Sequence, residues 1–131
     1  MERKVSVASA LIRNVRLLDG RGPVEGRRDV EIRQGRLRDI RAHRQADPAT
    51  DIPVLDGGGM YLLPGLIDLH VHLVWDGSSD PVERLGKEST EQTLLRAIRH
   101  AWETLEAGVT TVRDLGSVDD LAIDLARGGA R

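Results

Sequence analysis

The sequence predicts an α/β protein, rich in short strands up to Pro64 and alternating strand, helix, strand, helix from Gly65 onward. Three observations carry this reading. Val30 and Ile32 alternate with Asp29, Glu31 and Arg33, the period-two pattern of a half-buried strand. Residues 66–74, LIDLHVHLV, form an almost unbroken apolar run of the kind buried on both faces of a parallel sheet. Leu94, Ile98, Ala101, Trp102 and Leu105 then recur at helical spacing.

Each element follows in order. Leu11, Ile12, Val15, Leu17 and Leu18 make a first strand, which ends at the turn pair Asp19-Gly20. Gln34-Gly35 reverses the Val30 strand into a hairpin whose return carries Leu37 and Ile40, with Arg36, Arg38 and Arg41 on its wet face. Residues 43–53 are polar and hold two prolines, so they read as a loop. Ile52, Val54 and Leu55 give a short strand stopped by Asp56-Gly57-Gly58-Gly59, and residues 60–63 add one more before Pro64-Gly65. After the 66–74 strand comes a polar loop, and then a helix with Ser89 as N-cap, Gln92 at capping-box spacing and Gly108 beyond its end. A second strand is expected from Val109 to Leu115. Ser117 or Asp119 can cap a second helix through Leu121, Ile123 and Leu125, which fades at Gly128-Gly129. This order implies parallel strands joined by right-handed crossovers.

Composition narrows the function. The 131 residues hold no cysteine, which excludes a disulfide scaffold and any thiolate metal site. A net charge of −2 gives no electrostatic footprint for nucleic acid, and no run is apolar or basic enough for a membrane. The stretch after Arg3-Lys4 is broken by serines and closed by Arg13, unlike a secretory leader, so the cytoplasm is the expected setting. With Tyr61, Trp75 and Trp102 as the aromatics and no Phe, the core must be aliphatic.

The chemistry sits in His70-Val71-His72. Residues i and i+2 of a strand share a face, so both imidazoles project together and can converge on one divalent ion. By itself the pair does not choose the metal, and hydrogen-bonded edge histidines are the plainer alternative. His100 falls on the helix side opposite Ile98 and Trp102, a solvated position, and His43 lies in a polar loop. Trp75, Asp76 and Asp80 occupy the loop after the histidine strand, which would rim an active site; contact with substrate is one reading, and simply solvated acids are the plainer one. Arg113 and Asp114 end the second strand, with an internal pairing as one reading of the two and a substrate carboxylate on Arg113 as the other.

The surroundings of the pair, PGLIDLHVH, resemble the signature of the metal-dependent amidohydrolase superfamily, and the stretch EAGVTTVRDLGS resembles its imidazolonepropionase-like and Xaa-Pro or Xaa-Arg dipeptidase-like branch. The resemblance implies an incomplete TIM (β/α)8 barrel, its first two βα units in residues 65–131, preceded by a small N-terminal β-sandwich portion in residues 1–64. It implies His70 and His72 as metal ligands, Asp68 as a supporting acid, and a divalent metal, zinc above all, with one or two ions in the intact enzyme. The implied reaction is hydrolysis of a C–N bond (amide, cyclic amide or dipeptide) in a small-molecule substrate by metal-activated water.

Relatives place a lysine, two further histidines and an aspartate on later strands. Here Lys4 and Lys87 are the lysines and neither lies on a barrel strand, while a whole barrel takes about 250 residues. The expectation is therefore the N-terminal fragment of a hydrolase, inactive alone and with its catalytic residues unassigned. A non-catalytic fragment, or a small metal-binding or assembly module that forms homo-oligomers, is the alternative.

Overall fold

The computed structural model describes residues 9–46 and 49–129. Lys4 and the rest of residues 1–8, weighed above as a leader, lie outside that range. The chain divides into two compact units, Met1–Pro64 and Gly65–Arg131.

The described residues of the first unit form one five-stranded sheet. Strands β1 (Ala10–Asp19), β2 (Gly22–Arg33), β3 (Arg36–Ala42) and β4 (Val54–Asp56) lie in the order β3-β2-β1-β4, and β5 (Tyr61–Leu62) also pairs with β1. The β1–β2 and β2–β3 pairs are antiparallel, whereas β4 and β5 run parallel to β1. Register sets Ile12 beside Val30 and Val30 beside Ile40. Gln34 and Gly35 both take positive φ, 51° and 70°, as a two-residue type I′ hairpin turn requires. A bulge interrupts β1 where Asn14 adopts φ 58°, a left-handed conformation that asparagine tolerates.

Leu11, Val15 and Val30 form the buried apolar centre of this unit. The hairpin's apolar side is another matter. Leu37 and Ile40 are exposed, because the described residues of this unit supply one sheet layer and nothing over that side of it. Arg41 is not simply wet either, since it pairs with Glu31 and Asp39.

Beneath β1 lies a charged cluster that the sequence pattern did not announce. Arg13, flanked by buried Leu11 and Val15, is itself buried and sends Nη2 to the carbonyls of Arg44 (2.6 Å) and Ala46 (2.8 Å). Asp29 faces it, with Oδ2 3.6 Å from Arg13 Nε and Oδ1 accepting the Asn14 N–H (3.0 Å). The same Oδ1 meets His43 Nδ1 at 2.7 Å, so His43 is a structural partner of Asp29 and not a bystander in a loop. Burial raises the Asp29 pKa, but the Asn14 amide, His43 and Arg13 together outweigh it and hold the carboxyl below its ordinary value of 3.8.

The second unit is built from β6 (Leu66–Val71), α1 (Pro81–Leu85), α2 (Thr90–Glu106), β7 (Val109–Asp114) and α3 (Leu121–Gly129). Strands β6 and β7 pair in parallel, with Leu66 beside Val109 and Val71 beside Asp114. The long strand expected over 66–74 stops at Val71. Leu73 and Val74 turn off it and enter the core with Ala97 and Leu121. Leu66, Ile67 and Leu69 are 49%, 63% and 64% exposed, so β6 is not covered on both faces. A parallel strand is enclosed only by neighbours on both edges and helices on both faces, and among the described residues β6 has one strand neighbour.

Helix α2 begins as its sequence demands. Ser89 Oγ accepts the Gln92 N–H (3.3 Å), and Gln92 Oε1 accepts the Ser89 N–H (3.0 Å), completing the capping box. Ser89→Ala should lower stability by about 1 kcal/mol, read as an earlier urea midpoint, and an unchanged midpoint would contradict the cap's role. The buried face of α2 differs from the apolar stripe. Thr93 and Ala97 are buried, with Leu94 and Ala101 packed alongside, whereas Ile98, Trp102 and Leu105 are exposed. Small residues let α2 approach the sheet closely, so the packing face is rotated from the face with the largest side chains. His100 is thereby turned inward instead of being solvated, and its Nδ1 donates to the Leu73 carbonyl at 2.9 Å.

The loop before α2 holds a helix that was not expected, and of the two residues expected to cap the last helix Ser117 is the one that bonds its first turn. The polar loop contains α1, started by Asp80, whose Oδ1 accepts the Glu83 N–H (2.9 Å), with Pro81 in the first turn. At α3, Ser117 Oγ accepts the Ala122 N–H (3.2 Å), while Asp119 sits at φ 51°.

Candidate functional site

Strand β6 carries Asp68 and His70, and His72 follows just past its end. The β6–β7 register shifts between Asp68 and Val71, which breaks strict period-two parity there, and it is the contact between the His70 and His72 rings that brings the two imidazoles together. The two imidazole rings stand 5.3 Å apart between centroids, their planes inclined by 70°. Such edge-on rings can direct one nitrogen each toward a shared ion.

His72 is held on two sides. Its ring stacks on Trp75 at 3.9 Å and 16°, and the Trp75 N–H donates to the His72 carbonyl (3.0 Å), closing the turn after the strand. Its Nδ1 lies 3.1 Å from the Gly116 carbonyl oxygen. A carbonyl only accepts, so Nδ1 carries the hydrogen and the lone pair of the neutral ring is on Nε2. Metal-binding histidines are commonly oriented by this kind of backbone contact. Asp68 Oδ1 accepts the His70 N–H at 3.0 Å and so fixes the backbone that bears the first imidazole.

The remaining sequence candidates take structural places. Asp76, expected to be solvated, accepts both the Oγ–H and the N–H of Ser78 and pairs with Arg84 (2.6 Å). The Ser78 hydroxyl and amide, joined by the charge of Arg84, pull its pKa down to about 2. From there a chain of alternating charge runs through Arg84, Glu88 and Arg96, and Arg96 Nε donates to the Val74 carbonyl (3.1 Å). The loop after His72 is thus laced to α2. Asp114 spends its two oxygens on backbone N–H groups of Leu73 and Gly116. Sequence reasoning missed these bonds because their partners lie far apart along the chain.

The donor chemistry of His70 and His72 suits a divalent metal; the donor number falls short of the three or four a protein site provides. Among the described residues, no group of three or more His, Asp or Glu side chains lies together so as to hold an ion. No described helix is long and apolar enough to cross a membrane.

Comparison with known proteins adds to this geometry. The chain is 38% identical over 95 residues to a dihydroorotase of Thermus aquaticus, covering 72% of this chain and 19% of that protein. It is 30% identical over 107 residues to an imidazolonepropionase of Idiomarina loihiensis, covering 63% of this chain and 26% of the relative. Among solved structures, a Xaa-Pro dipeptidase with methionine bound in its active site superposes with a TM-score of 0.76 at 28% identity, over 94% of this chain and 30% of the dipeptidase. The chain thus spans less than a third of each of these proteins. The histidine strand, the loop after it and the β7 strand that orients His72 all lie within residues 61–130, the stretch that matches the family model; since that is more than half of the sequence, the chain belongs to the amidohydrolase family.

Proposed function

We propose that this chain contributes the first metal-binding strand of a metal-dependent hydrolase that cleaves a C–N bond in a small amide, cyclic amide or dipeptide. The observation that carries the reading is the committed Nδ1 of His72, which leaves Nε2 available beside His70, 5.3 Å away between ring centroids. His70 and His72 would hold a divalent ion, zinc being the choice most consistent with imidazole ligands. When bound, such an ion supplies a water of pKa near ~7 and polarises the substrate carbonyl. Asp68 keeps the His70 peptide in place, and Trp75 shields one face of the His72 ring.

In this reading residues 65–131 are the first two βα units of a (β/α)8 barrel, supported by the parallel β6–β7 pair and the α2 crossover. Residues 1–64 are the N-terminal β-sandwich portion, of which one sheet layer is described. The setting is cytoplasmic. The chain is inactive alone, because further ligands and a proton-transfer group must come from other residues. Exposed Ile67, Leu69, Ile98 and Trp102 favour association with other copies, the mark of the alternative reading as an assembly module.

Zinc titration of the chain by calorimetry tests this. Binding should be micromolar or weaker, and His70→Ala or His72→Ala should remove it. Nanomolar binding that survives both substitutions would rule out the assigned ligands. Fusion to the C-terminal remainder of the Thermus aquaticus relative should yield metal-dependent hydrolysis of cyclic amides or dipeptides; a folded, zinc-loaded fusion that cleaves no C–N bond would defeat the functional reading.

A further inference from the structure

One carboxylate holds both backbone segments that flank His72. Asp114, the last residue of β7, accepts the Leu73 N–H through Oδ2 (3.1 Å) and the Gly116 N–H through Oδ1 (3.0 Å). Leu73 is the residue immediately after His72, and Gly116 is the residue whose carbonyl receives His72 Nδ1 (3.1 Å). The Leu115 N–H donates to the Val71 carbonyl (3.0 Å), so the two chains are stapled on either side of the imidazole. A charged acceptor makes stronger hydrogen bonds than a neutral one, and two on one carboxylate define a direction as well as a distance.

We infer that Asp114 is the positioning residue of His72: by fixing the Leu73 and Gly116 peptides together, it aims the Gly116 carbonyl at Nδ1 and so keeps Nε2 bare for a metal. This rests on the reading of His72 as a ligand, and it adds a residue to which that reading gave no role. Asp114 acts through Gly116 and touches neither metal nor substrate. Without the clamp the Gly116 peptide can rotate, the Nδ1 hydrogen loses its acceptor, and the ring is free to carry its hydrogen on Nε2, the atom that would ligate.

Asp114→Asn is the informative variant. An amide keeps one accepting oxygen but presents an NH2 donor toward the second N–H, so it cannot serve both peptides. The readout is the tautomer of His72 in metal-free, 15N-histidine-labelled protein at about pH 8.5, where an ordinary imidazole is neutral. Magic-angle spinning on sedimented protein keeps the measurement possible if the chain associates. His72→Ala identifies the His72 signals, and His43, bonded to Asp29 in the other unit, serves as the reference.

The unsubstituted chain should show His72 protonated on Nδ1. Asp114→Asn should shift it toward Nε2 protonation while helical circular dichroism is retained, and should weaken zinc binding about 10- to 100-fold. An unchanged tautomer overturns the proposal, and so does a loss of helix signal together with the tautomer change, because Asp114 would then be holding the fold. If zinc affinity is indifferent to His72→Ala, the ligand reading fails separately, and the metal-free tautomer still decides what Asp114 does.

Discussion

Asp29→Ala is expected to destabilise the first unit by about 3–5 kcal/mol, the usual penalty for breaking a buried charged network by removing one member. The carboxylate receives the Asn14 N–H and His43 Nδ1 and faces Arg13 Nε, and the Asp29 and Arg13 side chains are only 6% and 10% exposed. A methyl group in its place leaves two donors facing an apolar atom, each worth about 1–3 kcal/mol. The bulge at Asn14 should relax as well, since its left-handed backbone is held by that bond. Urea unfolding followed at Tyr61, in the same unit, measures this, and a shift under 1 kcal/mol would contradict it. The pH dependence has a definite sign. Because the folded-state pKa of Asp29 lies below 3.8, its contribution is complete above that value and disappears as pH falls through the depressed folded value. The unsubstituted chain should therefore lose stability on acidification in that range, and Asp29→Ala should flatten this part of the curve.

Gly65→Ala should be the most damaging single methyl in the second unit. A Cβ on Gly65 would lie 2.0 Å from Thr110 Oγ1, 2.3 Å from its Cγ2 and 2.7 Å from its Cβ. The hydroxyl and methyl can rotate; the Cβ cannot, so β6 and β7 must part where the Leu66 N–H meets the Gly108 carbonyl (2.9 Å). Overpacking of this kind costs about 1–3 kcal/mol or more. Thr110→Gly removes all three contacts, so the double variant should recover most of the loss attributable to the alanine. Strictly additive effects in a double-mutant cycle would show that the contact is not the cause.

Local elements were largely legible. The Gln34-Gly35 hairpin, the Ser89–Gln92 cap and the β6–α2–β7 order follow from turn chemistry and periodicity, which act over a few residues. Helix α1 was legible in principle, since Asp80-Pro81 followed by Glu83 is a start signal, but five residues give periodicity nothing to repeat. The packing face of α2 was not. Ile98, Trp102 and Leu105 make a convincing apolar stripe, yet the core selects Thr93 and Ala97 for their size. His70 and His72 could be found from spacing alone. Their orienting partners could not, because Gly116 lies 44 residues beyond His72 and the Leu73–Asp114 bond spans 41. Asp29 likewise shows nothing in sequence of its tie to Arg13 and His43.

The alternating chain Asp76–Arg84–Glu88–Arg96 gives the loop after His72 a different physical character from the sheet of the first unit. Arg84 is 56% exposed, so its pairs with Asp76 and Glu88 are open to screening as the Debye length falls from about 10 Å at 0.1 M salt to about 3 Å at 1 M, whereas the Arg96–Glu88 pair, 12% and 16% exposed, is screened less. Apolar burial around Leu11 and Val30 is not weakened in this way. Ionic strength is therefore a selective handle: concentrated salt should loosen residues 75–88 before it unsettles either sheet, seen as faster proteolytic nicking there at unchanged secondary structure. Equal nicking at both salt concentrations would mean that backbone contacts, not charge, hold the loop. The surroundings of His72 thus answer to the electrolyte as well as to the protein.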